Sequence, residues 1–174
     1  IINDELIPAI NEVGALFEKK IYFLPQLISS AETMKTAIEY LEPLLSGGDD
    51  EGPKVTIVIA TVEGDIHDIG KNIVKVILEN YGYNVIDLGR DVDPMKVVEA
   101  VKENDVKLVG LSALMTTTLG SMEDTINLLK ENNLDCKIMV GGAVLTEDYA
   151  MKIGADYYAK DAKRSADIAK EVLG

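Results

Sequence analysis

Five short apolar runs recur between residues 54 and 160, and a helical pattern follows each of them. Continuous apolar strands that alternate with helices are typical of a parallel β-sheet covered on both faces. The alternation therefore predicts an α/β fold with a doubly wound, five-stranded sheet in the flavodoxin-like (Rossmann-like) order 2-1-3-4-5. We expect strands at 54–61, 84–89, 107–114, 137–142 and 155–160, and helices near 70–81, 94–104, 120–132, 146–153 and 162–173.

The N-terminal residues follow a different pattern. From Leu6 to about Lys20, apolar residues recur every three or four positions, and a second helical pattern begins at Pro25. The segment SGGDDEGPK that follows has the glycine, acid and proline content of a linker. We therefore expect a partial helical bundle at residues 1–46, a linker at 47–53 and the α/β domain at 54–174.

Charge and cysteine content exclude several classes of protein. The net charge of -13 would repel nucleic-acid phosphates and anionic membrane surfaces, so we expect neither as a partner. Cys136 is the only cysteine, and the sequence has no signal segment or long apolar span, which together favour the cytoplasm. Because the sequence opens on Ile1 rather than methionine, we expect it to be a piece of a longer protein.

The only histidine, His67, stands in the loop after the first strand, two residues beyond Asp65. If this loop is extended, both side chains leave the same side of the backbone and the carboxylate can fix the imidazole tautomer. Ligands of doubly wound sheets bind at the carboxyl ends of the strands, near the first and third strands, and this loop lies there. The sequence therefore predicts a ligand site around His67.

One histidine and one cysteine are too few for an ordinary zinc site. A single histidine is sufficient as the axial ligand of a metal that a haem or corrin macrocycle already holds. The residues alone also allow a plain surface pair of Asp65 and His67, a helix N-cap at Asp68 and a satisfied strand hydroxyl at Ser112. Room and hydroxyl groups for a large cofactor are expected at Gly70, Gly110, Gly141, Gly142, Ser112, Thr116, Thr117 and Thr118.

Three motifs together resemble a known family. GDIHDIGKNIV resembles the DxHxxG signature of cobalamin-binding domains, LSAL resembles their SxL element, and GGA resembles their GG element. The resemblance covers residues 54 to about 173 and implies cobalamin with its benzimidazole base detached and His67 on the cobalt. Asp65 would then bond His67 and relay a proton, and Thr118 stands where methyltransferase members often have a serine. Cofactor contacts are implied for Gly64, Asp65, Ile66, His67, Asp68, Ile69, Gly70, Ser112, Leu114, Thr116, Thr118, Gly141 and Gly142.

The helical segment LFEKKIYFLPQLISSAETMKTAIEYLEP resembles the cap of cobalamin-dependent methionine synthase. That resemblance implies that Phe17, Leu24 and Leu27 shield the upper face of the corrin, and that the acidic linker is a hinge. It also implies methyl transfer through methylcobalamin from methyltetrahydrofolate to homocysteine, with methyl-donor and methyl-acceptor modules and a reductive reactivation partner. Only about two of the four cap helices precede the linker, so self-association through the incomplete bundle is a further hypothesis.

Other functions remain open at this point. A free-standing corrinoid protein of a methanol, methylamine or aromatic methyl-ether methyltransferase system would share both domains. A cobalamin-dependent sensor would need a DNA-binding domain, and this sequence contains no basic recognition helix. A mutase subunit would lack the cap. A receiver domain needs an acidic cluster with a lysine, for which Asp65 and Lys160 are a poor substitute.

Overall fold

The computed structural model describes residues 5–45 and 55–174, and the chain divides into two compact units. One unit is helical and the other contains the sheet. The predicted linker at 47–53, together with its expected role as a hinge, lies outside the described residues. The first four residues of the predicted helical domain lie outside them as well.

The helical unit contains α1 (Ile7–Glu18) and α2 (Leu24–Leu45), which pack against each other. Leu27, Ala31 and Met34 are buried on α2, and Ile10 is buried on α1. The spacing of four and then three residues places the buried α2 side chains on one stripe of the helix, as the periodicity in the sequence predicts.

The α/β unit is a five-stranded parallel sheet in the order β2-β1-β3-β4-β5, which confirms the predicted fold and strand order. Helices α4 and α7 occupy the predicted residues, whereas the strands are shorter than predicted. The elements are β1 (Thr56–Thr61), α3 (Ile69–Asn80), β2 (Asn84–Asp87), α4 (Pro94–Asn104), β3 (Leu108–Ser112), α5 (Leu119–Glu131), β4 (Lys137–Gly141), α6 (Glu147–Lys152), β5 (Tyr157–Ala159) and α7 (Ala162–Leu173).

The two faces of the sheet have different roles. Alternate strand residues point to opposite faces. On one face Val58, Val109 and Val140 belong to a continuous aliphatic core that includes Val97 of α4 and Ile126 of α5. This face is closed. On the opposite face, Ile59, Gly110 and Met139 line a cavity that is described below.

The loop after β4 contains a glycine that no other residue can replace without a backbone shift. Gly142 has a φ of 143°, and a Cβ atom built on it would lie 1.8 Å from the carbonyl oxygen of Ala113. The backbone after β4 therefore passes directly against the backbone after β3. The same contact brings the second and third predicted motifs together at the carboxyl edge of the sheet.

We expect Gly142→Ala to lower the free energy of unfolding by more than about 3 kcal/mol, because the clash involves backbone on both sides. Urea unfolding followed by circular dichroism measures this. The matched control is Gly120→Ala on α5, where a new Cβ meets nothing within 4 Å. Alanine favours helix by up to about 1 kcal/mol over glycine, so this control should be equal to the wild type or more stable. Equal stability of the two variants would contradict the close approach.

Candidate functional site

The loop between β1 and α3 places Asp65 inside the protein and His67 at its surface. Asp65 is fully buried, whereas 44% of the His67 side chain is exposed. Asp65 Oδ1 accepts hydrogen bonds from the backbone N–H of His67 at 3.0 Å and from His67 Nδ1 at 2.8 Å. The expectation that these two side chains meet is therefore confirmed. The Asp-x-His spacing closes a local turn through the backbone as well as through the imidazole.

The other oxygen of Asp65 joins this loop to the one after β3. Asp65 Oδ2 accepts hydrogen bonds from the backbone N–H groups of Leu114 at 2.7 Å and Met115 at 3.3 Å, and the Thr118 hydroxyl lies 3.0 Å away. One buried carboxylate thus receives donors from two loops that are some fifty residues apart in the sequence. No motif of side chains indicates the two backbone donors in advance.

These hydrogen bonds decide the ionisation of Asp65. Burial by itself raises the pKa of this carboxyl, but the N–H groups of His67 and Leu114, the His67 ring and the Thr118 hydroxyl outweigh it. The net result is a pKa far below the ordinary value for aspartate. Asp65 is consequently a carboxylate at every pH at which the protein is expected to work.

The hydroxyl of Thr118 lies between two oxygen atoms. Its Oγ1 lies 3.0 Å from Asp65 Oδ2 and 2.9 Å from the carbonyl oxygen of Met115, so its single proton is donated to one of the two. The extra methyl group of threonine has a defined place. Thr118 Cγ2 lies 3.4 Å from where a Cβ of Gly64 would be, and Gly64 has a φ of 81°.

A third loop, the one after β2, supports the same motif. Asp91 Oδ1 accepts a hydrogen bond of 2.7 Å from the Gly64 N–H, and the Asp91 N–H donates to the Asp65 carbonyl oxygen at 2.9 Å. In addition, the buried Lys71 at the start of α3 forms an ion pair with Asp87 at the end of β2. Both ends of the His67 loop are therefore attached to β2 or to the loop that follows it.

The arrangement leaves one imidazole nitrogen available. Because Nδ1 faces a carboxylate, hydrogen-bond logic assigns the proton of the neutral ring to Nδ1 and a lone pair to Nε2. Within residues 5–45 and 55–174 no hydrogen bond to Nε2 is found, and His67 is one of the residues that line a cavity. A histidine oriented in this way by a carboxylate is a strong nitrogen ligand for a metal centre.

The cavity beside His67 has a volume of about 760 Å³. It lies on the face of the sheet that is covered by α3 and α7, and it extends to the carboxyl ends of the strands. Ligands of doubly wound folds bind at these strand ends. Ile59, Gly110 and Met139 line it from the sheet, Val74 from α3 and Ser165 from α7. This size is in the range of pockets that hold large organic ligands.

The structure brings most of the predicted contact residues to this cavity. Ile66, His67, Asp68, Ile69, Gly70, Ser112, Leu114, Gly141 and Gly142 line it. Gly64, Asp65 and Thr118 stand behind His67 instead, while Thr116 is exposed in a short turn and is not among the lining residues. Phe17 and Leu24 are half-buried and Leu27 is buried in the helical unit, so their predicted contact with a cofactor remains untested.

One wall of the cavity is absent from the sequence predictions. Tyr158, Ala159, Lys160, Asp161, Ala162 and Ser165 line it from β5 and the start of α7. Tyr158 also donates its hydroxyl hydrogen to the carbonyl oxygen of Leu145 at 3.0 Å, which fixes the loop after β4. The one indication of this wall in the sequence was the predicted strand order, which places β5 next to β4. Lys71 and Arg90 also line the cavity, and they are not among the contact residues that the sequence predicts.

Within residues 5–45 and 55–174, no group of three or more histidine, cysteine, aspartate or glutamate side chains could hold a metal ion. Within the same residues, no helix has the length and apolar content that crossing a membrane requires.

Comparison with known proteins gave consistent matches. Residues 55–167 match a family model described as the B12 binding domain, and residues 1–42 match a second model with the same description. Dimethylamine corrinoid protein 1 of Methanosarcina acetivorans is 46% identical over 175 residues, which cover 99% of this chain and 82% of that protein.

Solved structures agree. A cobalamin-binding protein from Desulfitobacterium hafniense superposes with a TM-score of 0.85 at 37% identity, covering 95% of this chain and 78% of that one. A chain of the methanol:cobalamin methyltransferase complex MtaBC from Methanosarcina barkeri superposes with a TM-score of 0.82 at 34% identity, covering 98% of this chain and 66% of that one.

The low pKa of Asp65 predicts a pH-dependent stability. A carboxyl whose pKa is lower in the folded than in the unfolded chain stabilises the fold above the unfolded pKa of about 3.9, and this stabilisation is lost as the pH falls further. We expect Asp65→Asn to lower the free energy of unfolding by about 3 kcal/mol at pH 7, because charged hydrogen bonds are lost. The difference from the wild type should shrink below a pH of about 4.

Urea unfolding of the ligand-free protein across this pH range checks the prediction. The matched control is Asp124→Asn, which changes an exposed carboxylate on α5 and should stay within about 0.5 kcal/mol of the wild type. A constant difference between Asp65→Asn and wild type from neutral to acidic pH would contradict the assignment of a buried, stabilising carboxylate.

Proposed function

This chain belongs to the B12-binding domain family, and we propose that it is the corrinoid protein of a methyltransferase system that takes methyl groups from a methylamine. Cobalamin is the cofactor of this family. The observation that carries the proposal is the setting of His67, whose Nδ1 is held by a buried carboxylate and which lines a large cavity. The curated relative with 46% identity is a dimethylamine corrinoid protein.

The residues of the cavity fit such a cofactor. Ile66, Ile69 and Leu114 are exposed apolar side chains, at 59%, 68% and 41%, and line the cavity together with His67. Exposed apolar side chains grouped around one ligating nitrogen are what a large, flat, metal-containing ring requires. Ser112, Gly141 and Gly142 then line the cavity further along and leave room for the remainder of the molecule.

When bound, cobalamin would supply a cobalt centre that accepts and releases a methyl group. His67 Nε2 would be its protein ligand, and Asp65 would hold the Nδ1 proton so that the ring keeps the correct tautomer. The hydrogen bond between His67 Nδ1 and the Asp65 carboxylate is also the path along which the proposed proton relay would run. Thr118 and the Leu114 N–H keep that carboxylate in place.

The position of Leu114 links the two halves of this arrangement. Its backbone N–H donates to Asp65, and its side chain lies in the cavity wall beside His67. Leu114 therefore both donates to the carboxylate that orients the imidazole and carries a side chain that would lie against the macrocycle. A displacement of the loop after β3 would alter both together.

The comparisons favour the corrinoid-protein alternative over the methionine synthase prediction. The relatives named above are corrinoid proteins and a methanol:cobalamin methyltransferase complex, and none of these names refers to methionine synthesis. We therefore propose methyltransferase partners that act on methylamines, together with a reductive reactivation partner. The shielding roles of Phe17, Leu24 and Leu27, self-association and a hinge at 47–53 remain parts of this proposal.

We expect purified ligand-free protein to bind methylcobalamin with the absorption spectrum of an imidazole-ligated cobalt. His67→Gly should give the spectrum of water-ligated or base-ligated cobalt, because the remaining described residues provide no other imidazole. Added free imidazole should restore the first spectrum in the variant, which separates loss of a ligand from loss of folding. An unchanged spectrum in His67→Gly would contradict the role of His67.

The methyl donor can be tested separately. We expect methylation of the cobalamin-loaded protein by dimethylamine or another methylamine in the presence of a cognate methyltransferase. Methanol with its methyltransferase, and methyltetrahydrofolate with its own, serve as matched controls on the same loaded protein. Methylation by one of these controls but not by any methylamine would contradict the proposed donor while leaving the role of His67 intact.

A further inference from the structure

Three adjacent strands place one row of residues against the cavity. Ile59 of β1 pairs with Gly110 of β3, and Gly110 pairs with Met139 of β4. All three line the cavity, yet Ile59 and Met139 are only 1% and 3% exposed. This row, which we call the floor, therefore closes the cavity on the sheet side.

The residues nearer the carboxyl edge are smaller. Two positions beyond the floor, the next row consists of Thr61 of β1, Ser112 of β3 and Gly141 of β4, and Ala159 of β5 pairs with Gly141. Two residues of strand correspond to about 7 Å. Gly70 and Ala162 line the same cavity from the ends of α3 and α7. Small groups thus surround the part near His67, and the larger side chains of the floor lie deeper.

Gly110 decides the shape of the floor. A Cβ atom on Gly110 would lie 3.2 Å from Ile59 Cγ2 and 3.4 Å from Met139 Cε. Such a methyl group would be crowded against Ile59 and in contact with Met139, so it would fill the space between these two side chains. Met139 is the adjustable member of the row, because an unbranched thioether side chain can take several shapes.

From this geometry we infer that Ile59, Gly110 and Met139 select among cobamides by the base of the nucleotide arm. The inference rests on the proposed function, because it concerns the same cofactor. Cobamides share the corrin ring and differ in this base, which is a flat aromatic group of variable size. A narrow apolar groove between two side chains discriminates such groups by size, since one added methyl group in a filled pocket changes affinity strongly.

The experiment compares cobalamin with cobinamide, which has the same ring but no nucleotide arm. Binding to ligand-free protein is followed by absorbance and protein fluorescence. We expect wild type to bind cobalamin more tightly than cobinamide. Gly110→Ala should weaken cobalamin binding by about tenfold or more and leave cobinamide binding within about twofold. Gly120→Ala, whose new Cβ meets nothing within 4 Å, is the matched control and should match wild type for both.

A second variant keeps the test valid if Gly110→Ala does not fold. Met139→Ala removes the flexible end of the floor and should improve binding of a cobamide with the larger naphthimidazole base by about tenfold relative to cobalamin. An unchanged ratio between these two cobamides, or equal losses for cobalamin and cobinamide in Gly110→Ala, would overturn the inference. Failure of wild type to bind either corrinoid would overturn the proposed function itself.

Discussion

One buried carboxylate organises the site. Asp65 accepts hydrogen bonds from its own loop through His67 and from the loop after β3 through Leu114, Met115 and Thr118. An unpaired buried charge would be strongly destabilising, so the donors are required for folding. The same bonds that make the charge tolerable also determine where the imidazole points. The hydrogen bonds that stabilise the fold around Asp65 therefore also fix the orientation of the His67 imidazole.

The sheet supports this arrangement by having two unlike faces. The face towards α4 and α5 is packed with aliphatic side chains, as in the interior of any stable α/β protein. The face towards α3 and α7 has Gly110 and Gly141 where a closed core would have branched side chains. The first face is a continuous core, whereas the second contains the cavity next to buried side chains such as Ile57, Leu78 and Ile168.

The sequence predicts more of the fold than of the site. The alternation of strands with helices and the bounds of α4 and α7 follow from hydrophobic periodicity. The strands after β1 end earlier than predicted, because apolar loop residues such as Leu88 and the buried Ala113 continue the apolar pattern. The pair of Asp65 and His67 was predictable because both are side chains of one motif. Backbone donors have no residue identity to signal them, and the wall from Tyr158 to Ser165 has no short motif. Both became visible only in three dimensions.

The bond from Gly64 to Asp91 has a consequence for protein engineering. Moving the short histidine motif into another flavodoxin-like scaffold would transfer the imidazole without the loop after β2 that holds its first glycine. The recipient would also lack the backbone N–H groups of Leu114 and Met115 that donate to the buried Asp65 carboxylate. A functional transplant must therefore carry three loops from three strands, and a donor sequence of a dozen residues is too small a unit to exchange.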